Sequence, residues 1–397
     1  MIKMKKIEVT ARAVKKFKDK FPSLLRSDLV FKDSYNENGG VVALYHKGKF
    51  VAYAYLCRQK KADGWILSLN ENDDVLDPEF YRKKIKVAEV RRNEFYYSQE
   101  TNAFRVFNAE GDGIGGLTID YYAGYYVLTF YNRGIYNLRK IILDAFQEAI
   151  TDYQGVYEKL PFNANHKGGV LTRHILGKES DSVVIEENGS QYQVKLNQGS
   201  SVGFLLEQRG LRQAIQEKYA SEKIMFNGYS GNGELALAAL QGGAFKVVLV
   251  NPNKKQLSET KTELEMNGFV PEKQELRAID VDSYLDYADK HHIAYPLVVL
   301  DPPAFKRLKN KRFDITKDYQ GLIESAIKVT KPGGTLILTA NTPQMTFRTL
   351  KNTVRDAFSE SDRSYKLVED FDLPADFVTL KQYSLGRYFK AVAIQVL

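Results

Sequence analysis

Residues 224–253 read IMFNGYSGNGELALAALQGGAFKVVLVNPN. A short apolar run, Ile224, Met225 and Phe226, meets a turn that holds Gly228, Gly231 and Gly233. An apolar helix pattern follows at Leu235, Leu237, Ala238 and Leu240, and after Gly242 and Gly243 a second run, 247–250, stops at Asn251. Strand, tight turn, helix and strand in about 30 residues form one unit of a parallel sheet, and glycines in the first turn let a ligand approach a backbone that a Cβ would screen. The stretch predicts a nucleotide-type cofactor site. The bland alternative is a turn that only packs a helix tightly on a sheet.

Strands and helices alternate from Phe204 onward, so a parallel sheet covered by helices on both faces is expected. In such a sheet ligands lie beyond the carboxyl ends of the strands. The second strand ends at Asn251, 20 positions after Gly231, where a carboxylate would accept bonds from both ribose hydroxyls. An amide offers one neutral acceptor, at a cost of about 1–2 kcal/mol in cofactor binding. The third end supplies Asp280 in RAIDVDSYL, either as an acceptor for an exocyclic amine or as the cap of a helix beginning near Ser283. The fourth, LVVL at 297–300, runs into Asp301, Pro302, Pro303, Ala304 and Phe305. Two prolines stiffen the backbone and leave carbonyls free to accept, Asp301 adds a carboxylate and Phe305 a ring face, which together suit a flipped nucleobase. The fifth, 335–338, follows the turn Lys331-Pro332-Gly333-Gly334 and ends in Thr339-Ala340-Asn341-Thr342. Between the fourth and fifth, Lys306, Arg307, Lys309, Lys311 and Arg312 crowd one loop, either as a solvated run or as a grip for RNA phosphates.

The 397 residues, 44% hydrophobic and 27% charged, exceed one ordinary domain. No run reaches the roughly 18–20 apolar residues of a membrane span, and the first residues lead into a charged segment, so a cytoplasmic protein with no membrane partner is expected. The single Cys57 excludes an intrachain disulfide and a cysteine metal cluster, and no metal-ligand pattern is read elsewhere. Residues 1–66 carry 15 Lys and Arg against 6 Asp and Glu, a net +9 in a chain whose total is +8. One basic end on a neutral body suits a polyanion such as RNA, or is merely solvated.

In chain order, the spacing of Val9, Ala13, Val14 and Phe17 predicts a helix over 7–21. Strands follow at 41–45, 51–56 and 65–69, then a turn-forming boundary at 70–78 and a basic helix over 79–92. A hairpin is expected about GDGIGG, 111–116, between a strand with Phe104 and Val106 and one over 126–131. An amphipathic helix over 138–150 and a hairpin turning at Asn188-Gly189 come next. The division expected is 1–75, 76–197 and 198–397.

Glycine turn, ribose position, adenine position, DPPAF and KPGG, in that order, resemble a class I S-adenosylmethionine-dependent methyltransferase. More closely, GFLLEQRGLR (203–212), YSGNGEL (229–235) and LVVLDPPAFKR (297–307) resemble the large-subunit ribosomal RNA methyltransferase I family. KDKFPSLLRSD (18–28) is similar to that family's PUA RNA-binding domain, and GDGIGGLTIDYY (111–122) to its central domain. The resemblance implies an α/β protein: a Rossmann-like class I methyltransferase domain, an N-terminal β-rich PUA-like domain and a central α+β domain. It implies S-adenosylmethionine as cofactor, ribosomal RNA as partner and a homodimer. It places Gln208 and Arg209 near the cofactor, Tyr229, Ser230, Gly231 and Gly233 about its methionine part, Asn251 at the ribose, Asp280 at the adenine and Asp301 near the methyl donor. Read from the residues alone, Gln208 and Arg209 equally suit a helix start with a surface ion pair.

The family methylates cytosine C5 in 23S ribosomal RNA with a cysteine nucleophile after the fifth strand, where this chain has Thr339 to Thr342. C5 reacts only after a thiolate adds at C6. A base nitrogen, guanine included, needs no nucleophile: Asp301 and the Pro302 carbonyl would hold the amine against Phe305. The alternative from another class is a non-catalytic RNA-binding protein that keeps the fold.

Overall fold

The computed structural model describes residues 4–31, 39–59, 62–164, 169–199, 202–307 and 312–397. They form two compact units, 1–185 with 194–203 and 375–386, and 186–193 with 204–374 and 387–397.

In the first unit, β1 (Lys5–Glu8), α1 (Ala11–Lys18), β2 (Ser23–Leu24), β3 (Gly40–His46), β4 (Lys49–Gln59) and β5 (Ala62–Ser68) build a sheet ordered β1-β3-β4-β5-β2. The helix expected over 7–21 is therefore shorter. Ile7 and Val9 alternate inward with period two and β1 pairs in parallel with β3, while the Thr10 hydroxyl accepts from the Ala13 amide at 3.2 Å and starts the helix only there. Cys57 is fully buried in β4, its thiol pushed up to about 12 by burial.

The helices α2 (Pro78–Arg91) and α3 (Asn93–Tyr96) lead to β6 (Ala103–Asn108), β7 (Leu117–Tyr122), β8 (Tyr125–Phe130), α4 (Arg133–Tyr136), α5 (Arg139–Ala149), β9 (Gly155–Lys159) and β10 (Thr172–Gly177). Their sheet runs β10-β9-β8-β7-β6. The GDGIGG turn joins β6 to β7, and the strand expected next to it over 126–131 is β8, one hairpin later. β7 is buried on both faces even though its sequence, LTIDYY, alternates apolar and polar residues. Residues 375–386 belong to this unit: Arg92 donates to the Asp376 carbonyl at 3.0 and 2.7 Å and to both Asp112 oxygens at 2.8 and 2.7 Å, and the Arg105 amide donates to the Asp376 carboxylate at 2.8 Å.

The strands β11 (Ser182–Glu187) and β12 (Ser190–Lys195) make the expected hairpin, with Asn188 and Gly189 at φ 50° and 77°. The second unit then alternates: α6 (Arg209–Ala214), β13 (Ile224–Gly228), α7 (Glu234–Gln241), β14 (Lys246–Val250), α8 (Lys254–Met266), β15 (Glu275–Arg277), α9 (Val281–Lys290) and β16 (Tyr295–Leu300). The ribbon β17 (Phe305–Arg307) and β18 (Arg312–Asp314) precedes α10 (Ile315–Lys328), β19 (Thr330–Asn341), α11 (Phe347–Ser359), β20 (Tyr365–Phe371) and β21 (Phe389–Val396). The sheet is β15-β14-β13-β16-β19-β21-β20, parallel except for β21. Runs such as VVLV and LVVL have no polar face because helices cover both sides. The KPGG turn interrupts β19 instead of preceding it: Tyr295 pairs with Thr330, but Leu297 with Thr335.

Candidate active site

Strand β13 pairs with β14 on one side and β16 on the other, so the chain reverses its direction of winding there and opens a crevice beyond the strand ends. That crevice holds a cavity of about 410 Å³ lined by Tyr229, Gly231, Asn251, Asp301, Pro302, Phe305 and Lys306, and also by Leu205, Gln256 and Asn341. Its size suits a nucleotide-like ligand.

The glycine turn is held open by sterics. Gly233 has φ 92°, and a Cβ there would lie 2.5 Å from the Thr260 methyl group. Tyr229 adopts φ 61°, a conformation uncommon for a bulky residue, fixed by its amide donating to the Val250 carbonyl at 3.0 Å. Asn251 is buried, and its role is more specific than a weakened carboxylate. Its Nδ2 donates to the Gly231 carbonyl at 3.2 Å and to Gln256 Oε1 at 3.0 Å, while Oδ1 accepts from the Asn253 amide at 2.9 Å. An amide can both donate to the glycine turn and accept from the loop after β14, which an ionised carboxylate cannot.

Asp301 lies at the centre. Its amide donates to the Gly228 carbonyl at 3.1 Å, and its carboxylate accepts from Gln208 Nε2 at 3.0 Å and from the Thr339 hydroxyl. Burial pushes this carboxyl above its ordinary value, and the two donors pull it partly back. The neighbouring Glu207 accepts from Asn341 Nδ2 at 3.0 Å, so the EQR segment ties the ends of β16 and β19 together. Arg209 takes the ion-pair alternative, with Glu187 at 3.2 Å, and does not line the cavity. Arg212, fully buried, holds the same carboxylate at 2.6 Å and the Leu205 carbonyl at 2.8 Å. Burial raises Glu234, in the first turn of α7, to about 7.

Asp280 lies beyond the end of β15, which stops at Arg277, and it caps α9, accepting from the Asp282 amide at 3.3 Å. That helix starts at Val281, two residues before the Ser283 expected, because the cap sits immediately ahead of it. Lys306 approaches Asp280 at 3.7 Å and lies over the Tyr229 ring at 5.2 Å. Phe305, half exposed, carries the Arg312 guanidinium over its face at 5.6 Å, and Arg307 pairs with Arg312 in the ribbon; Lys309 and Lys311 lie outside the described residues. The sequence reading passed over Glu207, Asn341, Glu187 and Arg212. Glu207 and Arg212 stand in the same EQRGLR stretch as Gln208, but nothing local reveals that β19 supplies the partner of Glu207 and β11 that of Arg212.

Residues 114–385 match the family model described as S-adenosylmethionine-dependent methyltransferase, and residues 7–69 match one described as a PUA-like domain. The chain belongs to the S-adenosylmethionine-dependent methyltransferase family. It is 33% identical over 395 residues to a Bacillus subtilis (strain 168) protein named "Putative ribosomal RNA large subunit methyltransferase YwbD", covering 99% of this chain and 100% of that one. It is 31% identical over 366 residues to the ribosomal RNA large subunit methyltransferase I of Vibrio vulnificus (strain YJ016), covering 90% and 91%. A crystal structure of a methyltransferase relative complexed with SAH superposes with a TM-score of 0.90 at 30% identity, over 99% of this chain and 100% of that one.

The protein is thus an enzyme of methyl transfer, and its methyl donor is S-adenosylmethionine. The crevice fits that group on its own evidence. The Ser230 hydroxyl and the Asn227 amide, both buried beside the glycine turn, have no hydrogen-bond partner among the described residues. Neither residue lines the cavity itself, and unpaired groups of this kind cost about 1–3 kcal/mol each. Asp301 supplies a carboxylate for a cationic ligand, and Pro302, Pro303 and Phe305 supply flat apolar walls. Among the described residues no helix is long and apolar enough to cross a membrane.

Proposed function

We propose that the protein methylates a base nitrogen in large-subunit ribosomal RNA. The carrying observation is the Asp301 carboxylate, doubly held by Gln208 and Thr339 and walled by Pro302 and Phe305, in a unit whose sequence contains no cysteine. The names of the relatives at 33% and 31% identity support ribosomal RNA as the substrate. When bound, S-adenosylmethionine supplies an electrophilic methyl group. Gln208 and Thr339 orient Asp301 and favour its ionised form, the Pro302 carbonyl accepts from the target amine, and Phe305 stacks on the base. Tyr229, Ser230, Gly231, Gly233 and Asn251 hold the donor, with Asp280 at its adenine, while Lys306, Arg307, Lys309, Lys311 and Arg312 meet substrate phosphates.

The cysteine count supports a nitrogen target. Cys57 lies in β4 of the first unit with its thiol held neutral, so the second unit has no thiolate to activate C5. In this reading residues 1–75 grip RNA, 76–197 connect, and 198–397 transfer the methyl group; a homodimer belongs to the same reading and is tested by sedimentation. Incubating purified protein, labelled S-adenosylmethionine and unmodified 23S ribosomal RNA, then separating nucleosides by mass spectrometry, tests the proposal. An N-methylated base is expected. Label in 5-methylcytosine would overturn the choice of atom, and no label in any nucleoside would overturn the substrate.

A further inference from the structure

The first unit contains a second cleft, about 530 Å³, between α1, β5, α2 and the loop after β6. Its wall is apolar: Phe21, Ile66, Leu67 and Leu380 line it, with Val87 exposed at the mouth. On the loop side Gly115 packs so close to Trp65 that a Cβ would fall 2.1 Å from the indole. Four cations border the opening. Lys83 and Arg91 already face Glu79 at 3.7 Å and Asp112 at 3.2 Å. Lys20 and Lys84 have no carboxylate within salt-bridge distance among the described residues, although Lys84 is desolvated enough for its ammonium to fall below the ordinary value. Lys20 is also held at φ 60°, an uncommon conformation for a side-chain-bearing residue.

We propose that this cleft is a nucleotide subsite, remote in sequence from the methyl-transfer crevice, that takes one splayed-out nucleotide of single-stranded RNA. The base lies against Phe21 and the Ile66–Leu67 wall, and its flanking phosphates meet Lys20 and Lys84. Apolar depth beside unneutralised cations is the pairing that an unstacked base on a phosphate backbone requires. Burial lifts the Glu110 carboxyl, which lines the cleft, to about 7, so near neutrality it can donate to or accept from a base edge. The inference rests on the reading that the protein acts on RNA.

The test uses the full chain and a fluorescein-labelled, mixed-sequence 12-nucleotide single-stranded RNA, followed by anisotropy across a salt series. Lys84→Gln is expected to weaken binding at least fivefold and to reduce the slope of log K against log salt by about 0.7. Val87→Trp, an exposed position on α2, fills the mouth and should weaken binding similarly with the slope unchanged. Both variants should retain wild-type S-adenosylmethionine affinity by calorimetry. Wild-type RNA binding by both variants would overturn the subsite alone. Absence of RNA binding by the wild-type protein at every salt concentration would overturn the RNA reading and the subsite with it.

Discussion

Asp301→Asn separates what the crevice costs the fold from what it gives to function. The wild-type carboxyl is held above its ordinary value of 3.8 because burial outweighs the Thr339 and Gln208 hydrogen bonds. An asparagine keeps both contacts: its Oδ1 accepts from Gln208, and its Nδ2 donates to the Thr339 oxygen, which can accept instead of donating. Folding should therefore survive the change. An acid whose folded value is raised favours the native state only while protonated, so its contribution is lost as pH rises through the folded value. The stability advantage of asparagine is accordingly absent below the ordinary value of 3.8, opens as pH rises from there to the folded value, and persists above it. Cofactor affinity moves the other way, because a charge-assisted hydrogen bond to the cationic donor is worth about 1.5–3 kcal/mol, a loss of roughly ten- to a hundred-and-fifty-fold. Thermal melts across pH 3 to 8, with calorimetric titration of S-adenosylmethionine at pH 7.5, measure both effects. A variant that melts lower than wild type at neutral pH while binding the cofactor normally would refute the reasoning.

Gly233→Ala should lower stability by about 1–3 kcal/mol and abolish measurable cofactor binding, since φ 92° and the Thr260 methyl at 2.5 Å oppose any Cβ; urea denaturation and calorimetry check the two losses. Arg212→Met strands the buried Glu187 with only Arg209 for company and should cost about 3 kcal/mol in urea, whereas Glu187→Gln combined with Arg212→Met should cost less, because the uncompensated charge goes too. Burial holds Lys159 and Lys390 at about 8, below the ordinary 10.5, so between about pH 8 and 9.5 the unfolded chain binds more protons than the native one. Urea resistance should then rise with pH across that window, and Lys159→Met with Lys390→Met should flatten the rise.

What could be read directly from the residues was local and periodic. Alternation, apolar runs and glycine turns located β13, α7, β14 and β16, and Asn188-Gly189 marked its hairpin, because backbone conformation there depends on a few neighbouring side chains. Asp301 and its prolines were visible for the same reason: a strand running into a rigid, acceptor-rich segment is a local feature. Where two local signals competed the reading slipped. Thr10 caps a helix that the apolar spacing alone starts earlier, and Asp280 caps a helix that begins at Val281, two residues ahead of the start expected.

Composition also determined the chemistry available, since one cysteine, in the amino-terminal part of the chain, decides which thiolate routes exist before any coordinate is known. Tertiary structure alone decided the partners. Gln208 meets Asp301 across 93 positions, Asn341 meets Glu207 across 134, and residues 375–386 leave their sequence neighbours to bind Arg92 and Arg105 in the first unit. The physical reason is that a hydrogen bond between buried side chains depends on sheet order and on where each strand stops. Both are set by burial summed over the whole chain, and no short stretch carries that sum.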